Sequence, residues 1–316
     1  MRVKRISTTL NVNRSNNNTT PRLATLAYPK RHQGSPAAIV AFIHKIKYLL
    51  YILEIFLRPM LTNKIAFITG GGTGIGKAIG VQLAKNGAKV ALASRSHAHI
   101  ESAATEFRAL GLSVLPLQMN VRSKQDIDRA VARVIAEWGA IHILVNNAGI
   151  SGLSMIDDPD DAKWYDIVDT NLNGMYLITK QVLKHMPDHS GGRIINISSV
   201  LGKFGVPGYT AYCTTKHGMI GFTRALALEV VQRGITVNTI CPGWVDTEMA
   251  ALGIHETAAL QGITPAQFKA QAVAAVPIKR FLDADEVANL VCYVASEQAR
   301  AITGQAINIC GGQTMV

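Results

Sequence analysis

The chain has 316 residues, 48% of them hydrophobic, and a formal net charge of +11. Ten of the 32 Lys and Arg lie in residues 1–59 against a single acid, Glu54, which leaves 22 basic and 20 acidic residues from Met60 onward. The basic excess belongs to the head of the chain, and the near-neutral body argues against a nucleic-acid-binding domain, whose basic patch must sit on the folded part.

Residues 1–36 are poor in large apolar side chains and contain "NRSNNNTTPR", a run that cannot bury enough surface to fold and is expected to be disordered. The stretch 37–57, "AAIVAFIHKIKYLLYILEIFL", reaches the roughly 20 residues a membrane span needs. His44, Lys45, Lys47 and Glu54 interrupt it, and each charge near a helix centre costs about 2.5–3.5 kcal/mol on insertion, so a stable transmembrane helix is not expected. Three readings of the leader compete. It is an Arg-rich targeting peptide, an interfacial anchor, or upstream sequence ahead of a natural start at Met60, four residues before the first strand. The last is preferred, with a cytoplasmic location; membrane association through residues 37–57 is the alternative.

From Lys64 onward seven apolar runs, "KIAFIT", "KVALAS", "SVLPLQ", "IHILVNN", "RIINIS", "ITVNTI" and "AINI", alternate with segments of helical spacing. This predicts an α/β fold, a Rossmann-like, doubly wound, seven-stranded parallel sheet over 60–316 with the ligand at the carboxyl edge of the strands. Residues 248–276, Ala-rich and helical, are expected to form a small helical lid. Cys213, Cys241, Cys292 and Cys310 have no CxxC spacing, which argues against a disulfide framework or zinc site. "DDPDDAK" at 157–163 reads as helix capping rather than a metal cluster, and His97 and His99 as solvated residues at a helix start, so no metal is assigned.

The first strand runs into Thr69-Gly70-x-x-x-Gly74-x-Gly76. Glycines let backbone approach a pyrophosphate, and the following helix offers free N–H groups to the anion; plain packing at a strand-helix junction is the competing reading. A P-loop is excluded, because Lys77 is followed by Ala78. Further on, Tyr212 and Lys216 stand four apart on one helix face. A cation beside a phenol is expected to lower its pKa from about 10, fitting Tyr212 for acid-base work. Ser199 follows "RIINIS" at the edge where a ligand would sit.

TGGGTGIG (69–76), NNAG (146–149), Asn171 in "TNLNG", Ser199, YCTTK (212–216) and PGWVDT (242–247) occur in this order and spacing, and with them the chain resembles the short-chain dehydrogenase/reductase family across 60–316. The C-terminal half looks most like the 3-oxoacyl and polyketide ketoreductase branch. The resemblance implies a nicotinamide-dependent oxidoreductase in which Tyr212 protonates the carbonyl oxygen, Ser199 stabilises the developing alkoxide, Lys216 holds the nicotinamide ribose, and Asn171 positions a water. Gly70, Thr73, Gly74, Ile75, Gly76, Asn147, Ala148 and Gly149 would line the dinucleotide, together with Val121, Pro242, Gly243 and Val245, and Thr247 would contact the carboxamide. Ser199 and Tyr212 would touch the substrate. Homotetramers are the family's usual state.

The second strand ends at Ser94 and Arg95 where an acid would bind a ribose hydroxyl. A guanidinium beside a hydroxyl suits a 2′-phosphate, so NADP(H) is expected over NAD(H); a surface Arg capping a loop is the alternative. Asn120 stands where the family has Asp at the adenine. Arg233 matches one basic residue that docks an acyl carrier protein, while Ser190 replaces the other; a surface residue at a helix end is the competing reading. The expected activity is NADPH-dependent reduction of a 3-oxoacyl or polyketide-type ketone. A secondary-alcohol, polyol or hydroxysteroid dehydrogenase, or a catalytically silent nucleotide-sensing scaffold, are the alternatives.

Overall fold

A computed structural model of the chain describes residue 37, residues 40–48 and residues 59–316. The chain divides into two units, Met1–Arg58 and Pro59–Val316. In the first, residues 40–48 are helical and exposed; no helix among the described residues is long and apolar enough to cross a membrane. The disorder expected of residues 1–36 and the rest of the apolar stretch lie outside the described residues.

In the second unit every one of the seven apolar runs is a strand: β1 (Ile65–Thr69), β2 (Lys89–Ser94), β3 (Val114–Gln118), β4 (Ile143–Asn146), β5 (Arg193–Ile197), β6 (Thr236–Pro242) and β7 (Ala306–Ile309). They pair in parallel in the order β3-β2-β1-β4-β5-β6-β7. Parallel neighbours need long crossovers, which here are helical. They are α1 (Gly74–Lys85), α2 (His97–Ala109), α3 (Lys124–Trp138), α4 (Ala162–Val168), which continues through a π turn at Asp169–Asn173 into α5 (Gly174–Val182), and α6 (Thr210–Val230). Between β6 and β7 lie α7 (Glu248–Gln261), α8 (Pro265–Ala275) and α9 (Ala284–Ala295).

The strands read as continuous apolar runs because helices cover both faces of the sheet. Alternate residues feed two cores. Ile68, Leu92, Val145, Ile195 and Ile240 meet Ile79 and Leu83 of α1 and Val287 and Val291 of α9. Phe67, Ala91, Leu144, Ile194 and Val237 meet Val131 and Val134 of α3, Ile178 of α5, and Leu226 and Val230 of α6. Pro116 is tolerated within β3 because that strand pairs only with β2, leaving its other edge without a ladder to break.

Strand order reverses between β1 and β4, so the connections leaving them diverge and open a crevice at the carboxyl edge. Its floor is tied across the switch point. Thr69 Oγ1 accepts from Asn147 N and Ala148 N, both at 3.0 Å, and Asn147 Nδ2 donates to Thr69 O at 3.1 Å and Gly70 O at 3.0 Å.

Residues 248–276, expected to be helical, form two helices. Gly262, with φ +66°, ends α7, and Thr264 with Gln267 forms a capping box that starts α8 behind Pro265. The Thr-x-x-Gln spacing in "TPAQ" is the sequence mark of that break. Trp244 stacks on Phe281 at 5.2 Å and meets Phe268 edge-on at 6.2 Å, which pins α8 to the loop after β6.

Candidate active site

A cleft of about 520 Å³ opens at the carboxyl edge of β1, β4 and β5. Gly70, Thr73, Gly74, Ile75, Ser94, Arg95, Val121, Asn147, Ala148, Gly149, Tyr212, Lys216 and Thr247 line it. Gly76, Asn120, Asn171, Ser199, Pro242, Gly243 and Val245 are not on its wall.

The glycines divide by role. Gly70 and Gly74 have φ +66° and +51°, left-handed conformations that let the turn fold back toward the cleft. Gly76 sits behind the turn: a Cβ there would collide with Gly70 O and Asn147 Nδ2. It lets α1 approach the turn and touches no ligand space. Gly243 is likewise a packing residue, its Cβ position 3.0 Å from Cys310 Cα.

The start of α1 lies on the cleft wall and is open to an anion. Ser96, Ser123, Thr247 and Thr264 each cap their helix through a side-chain oxygen, whereas Thr73 makes no such bond at the start of α1. The first N–H groups of α1 are therefore left for a ligand, at the positive end of the helix dipole. Thr170 adds a buried hydroxyl on the cleft wall with no partner among the described residues. Arg95 stands exposed at the same cleft, its guanidinium without a hydrogen bond or ion pair among the described residues. These features fit a dinucleotide: an uncapped helix start for the pyrophosphate and a free guanidinium at the end of β2.

Tyr212 and Lys216 occupy adjacent turns of α6, with Lys216 Nζ 5.4 Å from the Tyr212 ring centre. The expected fall in the Tyr212 pKa does not occur. Burial pushes the phenol up to about 12, and the nearby Ser199 hydroxyl pulls only partly the other way. Lys216 does not reverse this, because its ammonium is aimed at Ile197 O, 2.8 Å away, rather than at the phenol oxygen. Burial also lowers the Lys216 pKa to about 8. Tyr212 keeps an open side toward the cleft, so its proton is held yet deliverable.

Ser199 caps the short 3-10 turn Val200–Gly202, its Oγ accepting from Leu201 N at 3.1 Å. The neighbouring Ser198 escaped the sequence reading. Its Oγ donates to Lys216 O at 2.9 Å and fixes the turn to α6. Asn171 is fully buried in the π turn; its Oδ1 accepts from Ile150 N at 2.8 Å, and its Nδ2 donates to Ile150 O at 2.9 Å and Thr215 Oγ1 at 3.2 Å. Its side chain locks the loop after β4 to α6.

The remaining candidates have other duties. Asn120 Oδ1 accepts from Arg122 N at 3.0 Å, closing a local turn. Val245 is buried in the core and bridges to Leu282, and Pro242 ends β6 opposite Ile309. Thr247 Oγ1 accepts from Ala250 N at 3.3 Å to cap α7. Arg233 pairs with Asp188 at 2.6 Å and donates to Leu183 O and Met186 O, both at 3.1 Å, so it closes the end of α5. In "DDPDDAK", Asp160 Oδ1 accepts from Ala162 N at 2.9 Å at the start of α4, and His97 is the exposed first residue of α2. No group of three His, Cys, Asp or Glu among the described residues is placed to hold a metal. Two wall residues that sequence reasoning missed, Lys163 and Glu256, come from α4 and α7.

Residues 64–256 match the short chain dehydrogenase family. The 3-oxoacyl-[acyl-carrier-protein] reductase FabG of Staphylococcus epidermidis is 36% identical over 254 residues, 80% of this chain and 100% of that protein. A crystal structure of a tryptophan variant of actinorhodin polyketide ketoreductase with NADPH is 39% identical, covers 80% of this chain and 99% of its own, and superposes with a TM-score of 0.76. A short-chain dehydrogenase/reductase from Serratia marcescens is 31% identical over 81% of this chain and all of its own, with a TM-score of 0.73. With the fold, the glycine turn and the Tyr212–Lys216 pair in place, the chain belongs to the short-chain dehydrogenase/reductase family of NAD(P)-binding oxidoreductases.

Proposed function

We propose that this protein reduces a ketone to a secondary alcohol with NADPH, and that its substrates are 3-oxoacyl or polyketide-type thioesters. The observation that carries the reading is Tyr212, a phenol held protonated at the cleft wall with Lys216 one turn away. A carbonyl being reduced needs a proton donor, and an acid that keeps its proton across neutral pH suits that direction. The names of the FabG and actinorhodin relatives support a 3-oxoacyl or polyketide ketone.

Bound NADPH supplies the hydride to the carbonyl carbon. Tyr212 donates its proton to the carbonyl oxygen, and Ser199, partly exposed just off the cleft wall with its Oγ accepting from Leu201 N, would turn its free O–H toward the same oxygen as charge develops. Lys216, cationic below its pKa of about 8, makes no hydrogen bond to the phenol oxygen and acts on the phenolate left on Tyr212 only through space, from 5.4 Å to the ring centre. The uncapped start of α1 would hold the pyrophosphate. A screen following NADPH absorbance tests the reading: 3-oxoacyl thioesters, on coenzyme A or on a carrier protein, should be reduced faster than a simple ketone of equal length. Equal rates would remove the 3-oxoacyl assignment.

Preference for NADPH rests on Arg95, exposed on the cleft wall with no competing side-chain partner among the described residues. Arg95→Asp replaces a phosphate donor by a repelling charge. It should raise the KM for NADPH about 10- to 100-fold, the range a charge-assisted bond supplies, with little change for NADH. Equal changes for both cofactors would sink the assignment.

A further inference from the structure

The cleft wall also carries charge that the reaction above does not use. There the loop after β4, Ile150–Ser154, runs beside the start of α6: Ser154 N donates to Gly208 O at 2.7 Å, and Ser154 bridges to Tyr209. Two charged side chains converge on this loop at Gly152, whose φ is +151°. A Cβ on Gly152 would collide with Lys163 Nζ and would lie 3.5 Å from Glu256 Oε1. Both side chains line the cleft that holds Tyr212.

Their situations differ. Glu256 Oε2 accepts from Leu153 N at 3.3 Å, so this carboxylate clasps the loop to the lid helix α7. One turn of that clasp is reinforced by Tyr209 Oη and Thr257 Oγ1, 2.9 Å apart. Lys163 is half-buried, makes no hydrogen bond or ion pair among the described residues, and faces the cleft. A partly desolvated ammonium with no hydrogen-bond partner, its neighbouring Glu256 carboxylate lying beyond ion-pair distance, is the kind of polar group that fixes ligand orientation in an otherwise mixed pocket.

We propose that Lys163 is a specificity-determining residue that donates to a second oxygen acceptor on the substrate. On the proposed function, this is the thioester carbonyl oxygen of a 3-oxoacyl chain whose ketone oxygen sits at Tyr212. That carbonyl carbon is separated from the ketone carbon by one methylene, whereas a simple ketone has no acceptor there and leaves the ammonium unpaired. Glu256 is the positioning residue, holding Gly152 and Leu153 so that Lys163 projects into the cleft. The neighbouring Met249 and Leu252, exposed on the same face of α7, offer apolar surface to the rest of the chain.

The test compares the wild type with Lys163→Met, which keeps the stem and removes the donor, and Lys163→Arg, which keeps a donor. For an acetoacetyl N-acetylcysteamine thioester, Lys163→Met should raise KM about 10- to 100-fold with kcat changed by less than about threefold. Reduction of 2-pentanone should stay within about twofold of wild type, and Lys163→Arg should recover most of the loss. A second arm needs no turnover. Calorimetry of the same thioester on the enzyme saturated with NADP⁺, which cannot reduce it, should show the same weakening for Lys163→Met. Equal losses on thioester and simple ketone, or an unchanged thioester affinity in the calorimetric arm, would overturn the inference. A wild type that binds the thioester through Lys163 yet reduces neither compound would instead remove the proposed function and leave Lys163 as the reader of the acceptor.

Discussion

Replacing Tyr212 with Phe lowers kcat for ketone reduction by about 100- to 10,000-fold, the usual range for a lost general acid, and leaves NADPH affinity nearly unchanged. The substitution deletes one oxygen. The ring keeps its place on α6 between the cleft and the core, and Lys216 keeps its bond to Ile197 O, so the fold and the cofactor wall persist. What disappears is the proton that burial holds on the phenol up to about 12. The loss must fall on kcat rather than KM, because the proton moves only as the carbonyl oxygen gains charge. Stopped-flow NADPH oxidation with saturating ketone reads it directly, and an undiminished rate would overturn the mechanism.

The pH profile of the wild type adds a sign. Burial moves Tyr212 up and Lys216 down to about 8, so below that pH the phenol is protonated and the lysine is cationic. For reduction by the free enzyme, kcat/KM should hold from neutral pH to about 8 and then fall as Lys216 loses its charge, long before Tyr212 titrates. Stability runs the opposite way. A lysine whose pKa drops on folding contributes most above its ordinary value of 10.5, and that contribution is lost as pH falls through about 8, because the charged form is the one burial penalises. Activity and stability therefore favour opposite sides of this window.

Sequence pattern revealed most of the frame. Both faces of the sheet are covered, so every strand shows as an apolar run, and a four-residue spacing is enough to put Tyr212 and Lys216 on one side of a helix. Ser199 was legible because it follows such a run at the edge where ligands sit. Three kinds of fact were not legible. Spacing shows that Lys216 is near Tyr212 but not where its ammonium points, so the Coulomb effect was expected and burial, a tertiary property, prevailed. The amide of Asn171 and the guanidinium of Arg233 are occupied by distant backbone carbonyls and N–H groups, which no local motif records. Lys163 and Glu256, far apart in sequence, both approach Gly152 of the loop after β4, and each alone looks like an ordinary charge on a helix. Finally, the seven-residue span from Gly70 to Gly76 mixes glycines that admit a ligand with one that admits a helix, and composition cannot separate them.

That last distinction has the largest expected effect on the fold. Gly76→Ala should cost about 3–5 kcal/mol, more than the 1–3 kcal/mol typical of overpacking, because the added methyl meets atoms that cannot yield separately. It collides with Gly70 O and Asn147 Nδ2, which are bonded to each other at 3.0 Å. Asn147 also donates to Thr69 O, and Thr69 Oγ1 in turn accepts from Asn147 N and Ala148 N, so moving one atom loosens the whole tie between β1 and β4. Relief by tilting α1 outward is no escape, since its free N–H groups would then leave the cleft. Gly76→Ala should thus lower Tm and weaken NADPH binding together. Gly221→Ala is the matched control. It lies on the exposed side of α6 with nothing within 4 Å of the new methyl, so the only effect left is helix propensity, a gain of about 0.5–1 kcal/mol. Thermal melts of the two variants should move in opposite directions; a Gly76→Ala protein that melts with the wild type and still binds NADPH would mean that the turn yields where its hydrogen bonds say it cannot.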